Sequence, residues 1–141
     1  MVIRPMEPGD AAQVCALCEQ LGYPVAAESL QASLARVALL SDHLACVAVE
    51  RQEVTGFFHA SRMLGLFEPA WVEVKGLVVS EERRGLGIGA ALLRAAEAWA
   101  RTNRVGEVRL GCRITRTAAH GFYEQMGYRI SKTQHRFVRV L

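Results

Sequence analysis

Apolar residues recur at helical spacing in three long stretches of this chain. Val14, Leu17 and Leu21 lie on one stripe of a helix predicted over residues 10–21, Leu30, Leu34 and Val37 mark a second over 26–40, and Ile88, Leu92, Ala96 and Trp99 mark a third over 87–103. Asp10, following the turn Pro8-Gly9, suits a helix N-cap, and Gly22 suits the stop of the first helix. Shorter runs rich in β-branched and aromatic residues predict strands at 2–4, 44–50, 54–62, 71–79 and 105–112. The polar Arg51-Gln52-Glu53 makes a hairpin of the second and third of these strands. In the tail, a helix over 117–126 closes at Gly127, and two strand-like pieces follow at 128–131 and 134–140.

This order, β-α-α-β-β-β-α-β-α-β-β, contains a strand, a helix and a strand of the kind that makes a parallel crossover. The fold class expected is α/β of the mixed α+β kind: one domain over residues 1–141, with a central mixed, mostly antiparallel sheet flanked by about four helices.

Composition narrows what such a domain does. With 141 residues, 51% of them hydrophobic, the chain is large enough for one core. A formal net charge of +3 with 22% charged residues does not suggest a nucleic-acid binder. No apolar run approaches the ~20 residues of a membrane span, and the N-terminus lacks the layout of a signal peptide, so a cytoplasmic protein is expected. Cys15 and Cys18 form a Cys-x-x-Cys, yet they fall within a helical pattern and no second pair or suitable histidine completes a zinc set. They read as small core hydrophobes, as do Cys46 and Cys112, and no metal is expected.

The chemistry concentrates in Arg84-Gly85-Leu86-Gly87-Ile88-Gly89, which joins a hydrophobic strand to an amphipathic helix. Glycines at every second position let a large group approach the backbone, and the first amides of a helix, lacking intrahelical partners, suit a pyrophosphate. Arg84 adds charge there, and Arg83 is a second candidate. The run Gly85-x-Gly87-x-x-Ala90 also satisfies a loose dinucleotide fingerprint, with Glu107 near the separation of a ribose acid. Against that stand the five-residue spacer from Ser80 to Arg84 and the place of Glu107 at the start of its strand; a Walker-type loop is excluded, because no Lys-Ser or Lys-Thr follows.

In this turn the chain resembles the GNAT superfamily of N-acetyltransferases, whose acetyl-CoA signature is Arg or Gln, two residues, Gly, one residue, then Gly or Ala. Arg84, Gly87 and Gly89 take those places. A second cluster, with Ala119 three residues before Phe122-Tyr123 and Gly127-Tyr128 ending the helix, is similar to the family's later motif. The resemblance implies a pyrophosphate on the amides of Arg84, Gly85, Leu86, Gly87, Ile88, Gly89 and Ala90, and a pantetheine arm beside Leu77, Val78 and Val79. It also implies Tyr123 as proton donor to the leaving thiolate. Arg116 stands where the family often has Asn, and either pairs with a phosphate or lies on the surface.

Acetyl transfer needs an unprotonated amine, a donor for the developing oxyanion and a proton for the thiolate. Glu73, the one carboxylate within its strand, resembles the position of a glutamate base in some members and could act through a water chain. An amide near Val78 or Val79 would meet the oxyanion. Of His43, His59, His120 and His135, His59 lies on a central strand and could face the acceptor, although surface or structural roles are favoured for all four.

The expected activity is acetyl transfer from acetyl-CoA, a co-substrate, to a primary amine through a ternary complex. A small-molecule acceptor is favoured over a protein. The alternative is a non-catalytic coenzyme A binding or sensing module. By resemblance the acceptor pocket draws on residues 23–28, 59–71 and 131–136, and dimers are common in the family, so a homodimer is compatible.

Overall fold

The computed structural model describes all 141 residues, which form two compact units, Met1–Gly111 and Cys112–Leu141. In the first unit five strands make one sheet in the order β1-β2-β3-β4-β5: β1 (Val2–Pro5), β2 (His43–Glu50), β3 (Glu53–Met63), β4 (Trp71–Val79) and β5 (Val108–Leu110). The first four pair antiparallel and β5 joins β4 in parallel, the sheet class expected from the order of elements. The hairpin between β2 and β3 is a two-residue turn. Arg51 and Gln52 both take positive φ, 48° and 69°, the left-handed conformation that matches the twist of paired strands.

Helices α1 (Ala11–Gln20) and α2 (Ala27–Ala38) precede the hairpin, and α3 (Ile88–Thr102) connects β4 to β5. On one face of the sheet Val14 and Leu17 of α1 pack with Val47, Phe57 and Val78, which are cross-strand neighbours in one row. Gln13 fixes α1 in place, its side-chain oxygen accepting from the Val54 amide at 2.8 Å. The opposite face carries α3. There a Cβ on Gly56 would stand 2.8 Å from the Val78 carbonyl oxygen and 3.0 Å from Leu92 Cδ1, so the close approach of helix to strand requires glycine. Leu92 and Leu93 are fully buried, which by transfer contributes about 2 kcal/mol each.

Three local expectations are corrected. Asp10 makes no side-chain hydrogen bond to the start of α1. Its buried carboxylate instead accepts two hydrogen bonds from the Arg4 guanidinium, both 2.8 Å, and one from the Glu7 amide at 2.7 Å. The charge of Arg4 outcompeted a neutral cap and, through those hydrogen bonds, lowers the Asp10 pKa. Strand β5 has three residues rather than the eight predicted over 105–112. After α3 the chain turns through Arg104 at φ 58° and Val105, whose amide donates to the Ala100 carbonyl, so ladder pairing begins only at Val108.

The second unit contains α4 (Thr117–Gln125), ended by Gly127 at φ 91°. The two tail strands predicted at 128–131 and 134–140 do not form: no strand follows α4, and residues 129–141 are all exposed. Valine and aromatic content expresses how well a residue fits a half-buried pleated surface. With Phe137 and Val140 more than nine-tenths exposed, no such surface backs this segment.

Candidate functional site

The glycine turn is built from backbone. After β4, Ser80 anchors the chain by donating its amide to the Thr55 carbonyl at 2.8 Å, and a single 3-10 turn (Glu81–Arg83) spans the polar spacer. Arg84 is extended, Gly85 has φ 78°, and Gly87, at φ 83° and ψ 3°, sits left-handed at the N-cap of α3. An added Cβ at Gly85 or Gly87 would meet nothing within 4 Å. These two glycines are therefore required by their dihedral angles rather than by crowding within the turn. No side chain caps α3, and its first internal bond runs from the Ala91 amide to the Gly87 carbonyl. The amides of Ile88, Gly89 and Ala90 thus lie at the positive end of a 15-residue helix with no partner inside it. Ile88 is buried and pins this end to the sheet.

Beside the turn, the sheet is open. β5 pairs with β4 only as far as Leu110 opposite Val74, whereas β4 continues to Val79. The β5-side edge of residues 75–79, which includes Leu77, Val78 and Val79, has no strand against it and leads straight into the uncapped end of α3. An extended amide-bearing chain can add to such an edge, and an anion can end on the helix amides.

The two arginines differ. Arg83 pairs with the hairpin, 3.1 Å from Glu53 and 3.5 Å from Glu50. Arg84 is exposed and only 4.0 Å from Glu81, a loose contact that an anion could displace.

Glu73 pairs in register with Ser61 of β3, on the face of the sheet that carries α1. One of its carboxylate oxygens, Oε2, is buried without a hydrogen-bond partner. A β-bulge at Lys75 follows, since His59 faces Gly76 while Ala60 faces Val74. Across the sheet His43, Ser61 and Glu73 form one row and Ala45, His59 and Gly76 the next. The His43 and His59 rings stack, with centroids 5.3 Å apart. Burial lowers the His59 pKa, and His43 and Lys75 lower it further. At the edge of this face Arg109 holds Glu68 at 2.7 Å and Glu107 at 2.7 Å, with its guanidinium 4.2 Å above the Trp71 ring. Glu107 is thereby engaged in an ion pair just before β5, not presented as a ribose acid.

In the second unit Tyr123 packs against Phe122 and Tyr128, with ring centroids at 5.1 Å and 6.2 Å. Burial, and then Cys112, raise its pKa, opposed by Arg116, so its hydroxyl holds its proton at neutral pH. Arg116 precedes α4 with its side chain exposed. Among the cysteines, only Cys46 is buried, and burial pushes its thiol up to about 11; Cys15, Cys18 and Cys112 are half-buried, with Cys18 packed against the core.

The sequence model of the acetyltransferase (GNAT) family matches residues 14–128, from α1 to the end of α4. The chain belongs to this family. Among curated members, the aminoalkylphosphonate N-acetyltransferase of Salmonella typhimurium is 33% identical over 96 residues, 67% of this chain and 61% of that protein. The match thus spans less than two thirds of that relative's length. Two solved structures share the GNAT fold at low identity. The aminoglycoside antibiotic 6'-N-acetyltransferase of Acinetobacter haemolyticus superposes with a TM-score of 0.84 at 17% identity, covering 100% of this chain and 99% of that one. The aminoglycoside N-acetyltransferase AAC(6')-Iy, solved with coenzyme A, gives 0.86 at 17% identity, covering 98% and 93%.

Within this GNAT chain the first unit carries the glycine turn, the open edge of β4 and Glu73; Tyr123 and Arg116 belong to the second. The sequence singled out His59 on its strand but gave no sign of its pairing with His43, because 15 residues and a hairpin lie between them.

Proposed function

We propose that this chain is an acetyl-CoA-dependent N-acetyltransferase acting on a primary amine of a small molecule, through a ternary complex formed by one domain over residues 1–141. The observation that carries the reading is the open edge of β4 at residues 75–79, which runs into the uncapped amides of Ile88, Gly89 and Ala90. Family membership and the N-acetyltransferase activity named for the 33% identical relative support it.

In this reading the amides of residues 84–90 hold the pyrophosphate, Arg84 supplies charge, and Arg116 pairs with a phosphate. The edge of Leu77, Val78 and Val79 binds the pantetheine arm, and an amide near Val78 or Val79 meets the oxyanion. Bound acetyl-CoA supplies the acyl thioester. Glu73 takes the proton of the incoming ammonium, directly or through water, and Tyr123, kept protonated by burial, gives its proton to the departing thiolate.

Release of free coenzyme A is the test, with a panel that includes 2-aminoethylphosphonate, kanamycin, spermidine, amino acids and peptide N-termini. Turnover of at least one small amine is expected, with Tyr123→Phe and Glu73→Gln each slowing it. Wild-type rates in both variants overturn the two role assignments. Tight acetyl-CoA binding with no turnover anywhere in the panel indicates a coenzyme A binding module instead.

A further inference from the structure

The side chains on the α1 face of the sheet include a hydrogen-bonded histidine pair, with a carboxylate nearby, that the acetyltransferase reading does not use. His43 Nδ1 lies 3.0 Å from His59 Nε2, and His43 Nε2 lies 3.9 Å from Asp42 Oδ1. Asp42 is half-exposed, the histidines are largely shielded, and His59 stands between Ala45 and Gly76, two residues that leave space around its ring. A Cβ added at Gly76 would meet nothing within 4 Å. Glu73 lies one row away on the same face.

The direction of the chain follows from the donors and acceptors present. An ionised carboxylate only accepts, so the Asp42 charge favours the proton of His43 on Nε2. His43 Nδ1 is then an acceptor, His59 Nε2 must be the donor to it, and the lone pair of His59 is left on Nδ1.

The geometry points to His59, rather than Glu73, as the base that deprotonates the acceptor ammonium, with the Glu73 carboxylate one row away holding the ammonium by its charge and with His43 and Asp42 as positioning residues that fix the His59 tautomer and carry the proton away. This rests on the acetyltransferase reading and deepens it. In the step, an N–H bond of the ammonium breaks and a His59 Nδ1–H bond forms. The Nε2 proton of His59 then passes to His43 Nδ1, and the positive charge comes to rest beside Asp42. His43 also lines a cleft of about 260 Å³ between α2 and β2, with Met6, Leu34 and Val37, through which solvent takes the proton.

The groups facing His59 are His43 from β2 and, from β4, Lys75 and Glu73; no titratable side chain of α1 or α2 is among those acting on it. Burial, His43 and Lys75 all depress its pKa, which keeps Nδ1 unprotonated at neutral pH.

Two measurements test the inference. Imidazole nitrogen NMR of the free protein should find both His43 and His59 protonated on Nε2, and His59 titrating below the ordinary histidine value. A proton on His59 Nδ1 with Nε2 bare overturns the relay, whatever the activity. The second is the pH profile of kcat/KM with acetyl-CoA and either 2-aminoethylphosphonate or kanamycin. His59→Gln should lower kcat/KM about 100-fold and abolish the acidic limb, while His43→Asn, which removes the neighbouring imidazole that depresses the His59 pKa, should move that limb to higher pH. Thermal stabilisation by coenzyme A should persist in both variants, which separates a role in proton transfer from loss of the fold. Wild-type kcat/KM and an unmoved limb in His59→Gln overturn the assignment. If neither amine turns over in the wild type, the pH profile is taken with whichever amine of the wider panel releases coenzyme A, and the NMR result tests the histidine tautomers on its own.

Discussion

The glycine turn and the polar face around Glu73 and His59 lie along the same strand, β4, and are built in opposite ways. The turn is made of main chain: two left-handed glycines, an uncapped helix end and an unpaired strand edge. All of it comes from 16 consecutive residues, 75–90. The polar face is made of side chains from three strands, with His43, His59, Ser61 and Glu73 brought together only by the register of the sheet. A backbone site tolerates side-chain change wherever φ and the helix start survive, as at Leu86, which points to solvent. A side-chain site is altered by each single substitution. The donor end of such an enzyme can stay constant while its acceptor end varies.

Substitutions that act on one region alone put this contrast at risk. Glu73→Gln should have the largest effect, lowering kcat/KM about 100-fold with coenzyme A affinity unchanged; a parallel loss of coenzyme A affinity would merge the two regions into one. Gly87→Ala forces a Cβ into the left-handed region, a strain of about 1–2 kcal/mol. It should weaken coenzyme A binding about tenfold by calorimetry, roughly the same energy, and leave the pH profile of turnover in place.

Two further changes lie outside both regions. Asp10→Asn removes the carboxylate held by Arg4 and should lower the melting temperature at pH 7. Because the folded-state pKa of Asp10 is depressed below the usual 3.8, its contribution is full above that value and is lost as pH falls through the folded-state pKa. The gap between the two proteins should therefore close in strong acid, and a gap that persists there would assign the effect to packing. The smallest effect is expected from Gln52→Gly in the β2–β3 turn, where φ is 69°. Relief of left-handed strain should stabilise the fold by up to about 1 kcal/mol in urea unfolding, with catalysis unaffected.

Most elements were legible from the apolar pattern: α1 and α3 bury one stripe each, α2 half-buries its stripe of Leu30, Leu34 and Val37, and the hairpin strands are apolar on both faces because helices cover both sides of the sheet. The misreadings arose where a distant partner decides. Asp10 was a good cap by type, yet Arg4, six residues earlier, took its carboxylate. The tail pieces at 128–131 and 134–140 have strand composition but no buried face to satisfy it. Within the site, the turn was readable residue by residue, whereas the His43–His59 contact was not, because neither residue carries a local signal of the other.

The succession of elements from β1 to α4 and the helix start that an anion can use are legible from the residues alone, because capping and apolar spacing are local properties. Where β5 stops along β4, which leaves residues 75–79 open, and which side chains share the α1 face could not be read locally. Strand pairing fixes both, and pairing is a contest among segments far apart in the chain, settled by which faces can be buried together.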